Sequence, residues 1–246
     1  MIKYNAAGQS QMTAGRPGQP WYHADFLAYP QDVAVAADGG LWIVIQHGLK
    51  QLTRQGALVR TLPASSPWTP GASNTRFRYP RGVALDTAGK LYVSDSGNQR
   101  IQVYTISGSS APVYHSTIGE TGVSGSDNGH FNFPAHLALD SSNQLYVADR
   151  DNARVQRCAF SGAWSCTTFH GTGSPGAGPD QLAGPQGVAV DGAGNIWIAD
   201  SGNGRVKKCT AGGSCAVVAS GPANPTDVAV SSDGVVYVSD WTSNVV

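Results

Sequence analysis

One pattern recurs five times along the 246 residues and constrains every other reading. A proline opens a short apolar run, then come a polar turn, a second apolar run and, in four copies, an aspartate. The copies are Pro30–Ile45 (PQDVAVAADGGLWIVI), Pro80–Asp95 (PRGVALDTAGKLYVSD), Pro134–Asp149 (PAHLALDSSNQLYVAD), Pro185–Asp200 (PQGVAVDGAGNIWIAD) and Pro225–Asp240 (PTDVAVSSDGVVYVSD). Successive prolines lie 50, 54, 51 and 40 residues apart. Repeats of that length that cannot bury a core alone do so by stacking on one another.

Each copy reads as a strand hairpin. Val83-Ala84-Leu85 is short and continuously apolar, as a strand covered on both faces should be. An Asp/Gly/Asn turn leads to a second strand such as Leu91–Ser94. Asn98, Asn152 and Asn203 then mark another turn, and Arg100, Arg154 and Arg205 open a third strand. A fourth strand follows, and no segment carries a helical period. The expected fold is all-β, a β-propeller of four-stranded antiparallel blades in one domain spanning 1–246. Blades begin near 30, 80, 134, 185 and 225.

The motif P-x-G-V-A-V-D followed by G-x-x-Y-V-x-D-x-x-N-x-R-I resembles the NHL repeat. Pro80–Tyr104 matches it best, and Pro134–Arg157 and Pro185–Lys207 follow it well. The first copy departs, with Ile45 in place of the aspartate and no Asn/Arg pair near His47–Lys50. The resemblance implies a propeller but little about function, because NHL propellers serve as enzymes, sensors and binding modules. In the peptide-amidating lyase of this type, zinc-binding histidines stand directly after the blade-opening proline. Here Gln31, Arg81, Ala135, Gln186 and Thr226 stand there, so that site is not carried over.

Five blades are expected, with a six-bladed parent as the alternative. The 22 residues from Pro225 and the 29 before Pro30 add one further period of 51. Residues 1–29 are therefore expected to complete the last blade, closing the ring by pairing of the N- and C-terminal segments. Closure removes free sheet edges.

Cys158 with Cys166, and Cys209 with Cys215, bracket the same hairpin in consecutive repeats. That recurrence predicts two disulfides. A shared zinc site would need the pairs to converge, whereas neighbouring blades hold them apart. Disulfides point to a secreted, periplasmic or cell-surface location. Met1–Tyr4 runs straight into a polar stretch, so any export signal is expected to have been removed.

Lys+Arg 16 against Asp+Glu 16 leaves no net charge, which argues against nucleic acid as a partner. No apolar run is long enough for membrane insertion. A monomer is expected, with a protein, peptide or carbohydrate ligand.

The Asp-x-x-Asn-x-Arg set recurs in three repeats, which marks it as scaffold, since catalysis needs a group once. Trp42, Tyr92, Tyr146, Trp197 and Tyr237 share one strand position and are expected to pack between blades. Departures from the repeat say more. Two residues after each opening proline stand Asp32, Gly82, His136, Gly187 and Asp227. Two carboxylates and an imidazole at one channel mouth could hold a polar ligand or a cation. Arg81 adds a cationic group beside them. No other cofactor is expected, and no catalytic residue is assigned. The connection at 62–79 carries Trp68, Arg76 and Arg78, residue types suited to ligand contact.

The expected function is a ligand- or protein-binding scaffold using one face of the ring. The alternative is a metal-dependent lyase or hydrolase with Asp32, His136 and Asp227 as ligands. A second alternative is an engineered or truncated propeller without a specific activity.

Overall fold

The computed structural model describes residues 2–4, 10–13, 29–63, 70–108 and 110–242. Two short N-terminal strands, β1 (Ile2–Tyr4) and β2 (Ser10–Thr13), pair with each other. Four sheets of four antiparallel strands follow. They are β3 (Asp32–Val35), β4 (Leu41–Ile45), β5 (Gly48–Leu52) and β6 (Leu58–Leu62), then β7 (Val83–Leu85), β8 (Lys90–Asp95), β9 (Arg100–Thr105) and β10 (Val113–Ile118). The third comprises β11 (Pro134–Leu139), β12 (Leu145–Asp149), β13 (Arg154–Phe160) and β14 (Trp164–His170). The fourth comprises β15 (Gly187–Val190), β16 (Ile196–Asp200), β17 (Arg205–Cys209) and β18 (Cys215–Ser220). Last come β19 (Pro225–Val230) and β20 (Val236–Asp240), a two-stranded unit. In every four-stranded sheet, each strand pairs with the next in sequence, as short turns dictate.

The all-β propeller architecture stands, but the count of five blades is corrected to four complete blades and a two-stranded fifth unit. A blade needs four strands, and a repeat of the opening hairpin supplies only two. Residues 243–246 lie outside the described residues. The N-terminal strands form their own sheet, and no ladder joins them to β20 among the described residues.

The apolar core lies between blades. Trp42 and Val44 of the first blade pack with Val83, Leu91 and Tyr104 of the second. Tyr92 and Ile101 pack with Leu137 and Leu145 of the third, and Tyr146 and Val155 with Val188 and Ile198 of the fourth. Each sheet is apolar on both faces and needs a neighbour on each. The aromatic ring position follows that rule. Trp42, Tyr92 and Tyr146 are buried and Trp197 is partly buried against its neighbour. Tyr237 is 51% exposed, which corrects its reading as packed between blades. It stands on the incomplete unit.

The repeated Asp, Asn and Arg do the structural work expected of them. Asp95 and Arg100 are register partners across β8 and β9, and Arg100 Nε donates to Asp95 Oδ2 at 2.8 Å. Arg154–Asp149 (2.8 Å) and Arg205–Asp200 (2.7 Å) repeat the contact. The other oxygen of each aspartate accepts the backbone N–H of Arg78, Asn132 or Ala183 at 2.7 Å. Asn98, Asn152 and Asn203 donate to the carbonyls of Gly71, Gly125 and Gly176. The set thus ties the connection before each blade to the turn inside it, and places both on one face.

Both disulfides are formed, Cys158–Cys166 and Cys209–Cys215. Each joins directly opposed residues of neighbouring strands. No helix among the described residues is long and apolar enough to cross a membrane.

Candidate functional site at the channel mouth

The innermost strands β3, β7, β11, β15 and β19 bring the five equivalent positions together. Five side chains would not fit there. A Cβ on Gly82 would lie 2.6 Å from the Ala135 carbonyl oxygen and 2.9 Å from His136 Cα. One on Gly187 would lie 2.6 Å from Asp227 Cα. The two glycines therefore let neighbouring strands approach and leave the mouth to Asp32, His136 and Asp227.

These three converge. His136 Nδ1 is 3.1 Å from Asp227 Oδ1 and 3.9 Å from Asp32 Oδ2. One ligand-type atom from each residue lies within 4.8 Å of the others. Asp32 is held by its own surroundings: Oδ1 accepts the Val33 N–H at 2.7 Å and Oδ2 the Val83 N–H at 2.8 Å. His136 is anchored through its backbone N–H, which donates to the Gln186 carbonyl. Burial raises the Asp32 carboxyl to about 6, with His136 opposing and Asp227 adding to the shift. Burial alone would lower His136, but the charges of Asp227 and Asp32 prevail and raise it to about 9. Two acids and one base, close together and half withdrawn from water, form an electrostatically strained group.

Beside this group opens a cavity of about 450 Å³, lined by Tyr29, Gln31, Gln46, Tyr79, Pro80, Arg81 and Phe133. The Arg81 guanidinium carbon lies 5.0 Å from the Phe133 ring centroid, and that of Arg150 lies 5.4 Å from the same ring. Burial and the neighbouring Arg150 charge lower the Arg81 pKa. Arg81 thus brings a positive charge to the cavity wall, while Arg150, 3.8 Å from Asp151, is paired outside it.

Tyr29, Tyr79 and Phe133 each stand immediately before a blade-opening proline, with φ of 48°, 49° and 55°. That left-handed conformation costs a bulky residue about 1–3 kcal/mol. Gly184 fills the equivalent place before Pro185 at φ 53° without that strain. Tyr29 and Tyr79 are also 70% and 50% exposed, so packing does not account for them. An aromatic–proline pair in three of the five copies is the sequence signal of this ring. Next to Tyr79, at 6.1 Å between ring centroids, lies His47, whose buried Nδ1 has no hydrogen-bond partner among the described residues.

The structure therefore brings Asp32, His136 and Asp227 together and sets Arg81 beside them. Arg76 and Arg78 do not line the cavity; their connection is tied down by Arg100 and Asp95. Trp68 lies outside the described residues.

The profile of the NHL repeat matches residues 77–104, 131–158 and 182–209. The chain carries three NHL repeats. Each matched segment starts at a buried apolar residue or next to one, Phe77, Phe131 or Leu182, and ends on the third strand of its blade. Peptidyl-glycine alpha-amidating monooxygenase of Mus musculus is 31% identical over 132 residues, 52% of this chain and 13% of that protein. NHL repeat-containing protein 3 of Homo sapiens is 29% identical over 112 residues, 42% of this chain and 30% of that protein. The chain thus spans less than a third of the length of either relative. Among solved structures, virginiamycin B lyase from Staphylococcus aureus superposes with a TM-score of 0.64 at 17% identity, covering 97% of this chain and 69% of that one. An auxiliary nutrient binding protein from Bacteroides ovatus gives 0.64 at 16% identity, over 86% and 56%. These likenesses establish the fold.

Proposed function

We propose that this NHL propeller is a binding module that takes a ligand with an anionic group and a flat apolar portion on the face carrying the opening prolines. The carrying observation is the ring of strained aromatics around Arg81. Strain kept at three equivalent positions, where glycine serves at a fourth, marks a site held for contact. Arg81 supplies charge, Tyr29, Tyr79 and Phe133 supply ring faces, and Gln31 and Gln46 supply amide donors and acceptors. A peptide ending in a free carboxylate beside an aromatic residue has this chemistry. The two disulfides fit an oxidising compartment, so we place the module outside the cytoplasm.

Calorimetric titration with N-acetylphenylalanine and with its amide tests the reading. Wild type should prefer the acid, and Arg81→Gln should weaken acid binding by roughly tenfold or more, the loss of one charge-assisted contact. Equal binding of acid by wild type and variant would remove the site.

A further inference from the structure

The channel mouth itself has a chemistry that the aromatic cavity does not use. We propose that Asp32, His136 and Asp227 bind one divalent transition-metal ion, zinc being the best match.

Three observations carry this. The first is position. The residues occupy one repeat position in the first, third and fifth units, and the intervening positions are Gly82 and Gly187, where no side chain fits. The mouth thus carries donor groups from alternate inner strands.

The second is geometry. A tetrahedral zinc ion with bonds of about 2.0–2.2 Å holds its ligand atoms roughly 3.3–3.6 Å apart. The separations of 3.1 and 3.9 Å from His136 Nδ1 to the two carboxylates bracket that range. The Val33 and Val83 amides orient Asp32, as outer-shell donors orient a ligating carboxylate.

The third is donor type and charge. One imidazole and two carboxylates suit zinc or a similar transition ion, whereas calcium seeks six to eight oxygens. An ion that displaces the proton from His136 leaves two carboxylates and a neutral imidazole, which a single dication balances. Three protein ligands leave a tetrahedral ion one open position, and the aromatic cavity lies next to it. The proposal stands apart from the ligand reading: a failed metal titration leaves the Arg81 experiment untouched.

Another histidine among the described residues that contacts two carboxylates is His130, with Asp127 and Glu120, on the exposed 119–133 connection. It gives the test its control. Chelator-treated, tag-free protein is titrated with zinc chloride by calorimetry, and its metal content is measured by elemental analysis after gel filtration. Zinc should bind stoichiometrically. His136→Gln and Asp227→Asn should each weaken it by more than the roughly 100-fold that loss of an outer-shell partner can cost. Asp127→Asn should leave it unchanged. Absence of stoichiometric zinc overturns the proposal. So does binding that survives both mouth variants, or binding that Asp127→Asn abolishes. Melting curves confirm that each variant folds; Asp227, with its side chain 37% exposed, carries the test should His136→Gln unfold.

Discussion

Gly187 lies against Asp227 so closely that a methyl group on it would stand 2.6 Å from the Asp227 Cα. The contact joins the inner strands of the fourth and fifth units, β15 and β19, and lets Asp227 reach His136. Gly187→Ala should therefore lower stability by about 1–3 kcal/mol, the usual cost of overpacking. Gly192→Ala, whose Cβ would meet nothing, should stay within about 0.5 kcal/mol of wild type. Urea midpoints of the two variants make the comparison.

Two residues at one repeat position should lose very different amounts of stability on truncation. Tyr92 is 2% exposed and packs edge-on against Trp164 of the next blade. Tyr92→Ala should cost about 3–5 kcal/mol. Tyr237→Ala, on a side chain half in solvent, should cost less than about 1 kcal/mol. Equal losses by chemical denaturation would mean that the fifth unit is covered as fully as the second.

Removing one partner of a buried ion pair leaves the other uncompensated. Arg154→Met would strand Asp149, which is fully buried, and release the carbonyls of Ser126, Asp127 and His130. The expected loss is about 3–5 kcal/mol. Hydrogen exchange should quicken selectively in residues 125–132.

Acid should act through the turn between β15 and β16. Burial would raise the Asp191 carboxyl, but donors from Asn195, Trp197 and the turn backbone prevail and hold it down to about 2, below the ordinary 3.8. A depressed folded-state pKa contributes stability that is present above 3.8 and lost as pH falls towards 2. Asp191→Asn should thus be less stable than wild type at pH 5, and the difference should close between pH 4 and 2. A gap that stays constant across that range in thermal melts would contradict the assignment.

Asp32, His136 and Asp227 were legible because a repeat fixes equivalence, and a departure from it stands out before any coordinate is known. The cysteine pairing and the Asp95–Arg100 set were legible for the same reason. Tyr29, Tyr79 and Phe133 were not, because hydrophobic periodicity says nothing about a left-handed residue between strands. Arg76 and Arg78 stand on a connection whose backbone is tied to Arg100 and Asp95, and neither lines the cavity. The blade count differs because residues 1–29 were expected to supply the outer strands of the fifth unit, and β1 and β2 pair with each other instead, a choice of partner that no local pattern specifies.

A crystal structure of the protein with N-acetylphenylalanine decides whether the Arg81 cavity is the binding site. The carboxylate should lie against Arg81 and the phenyl ring among Tyr29, Tyr79 and Phe133. Density for the ligand elsewhere, such as the outer groove between Ser116 and Trp164, with the Arg81 cavity holding only solvent, would contradict it.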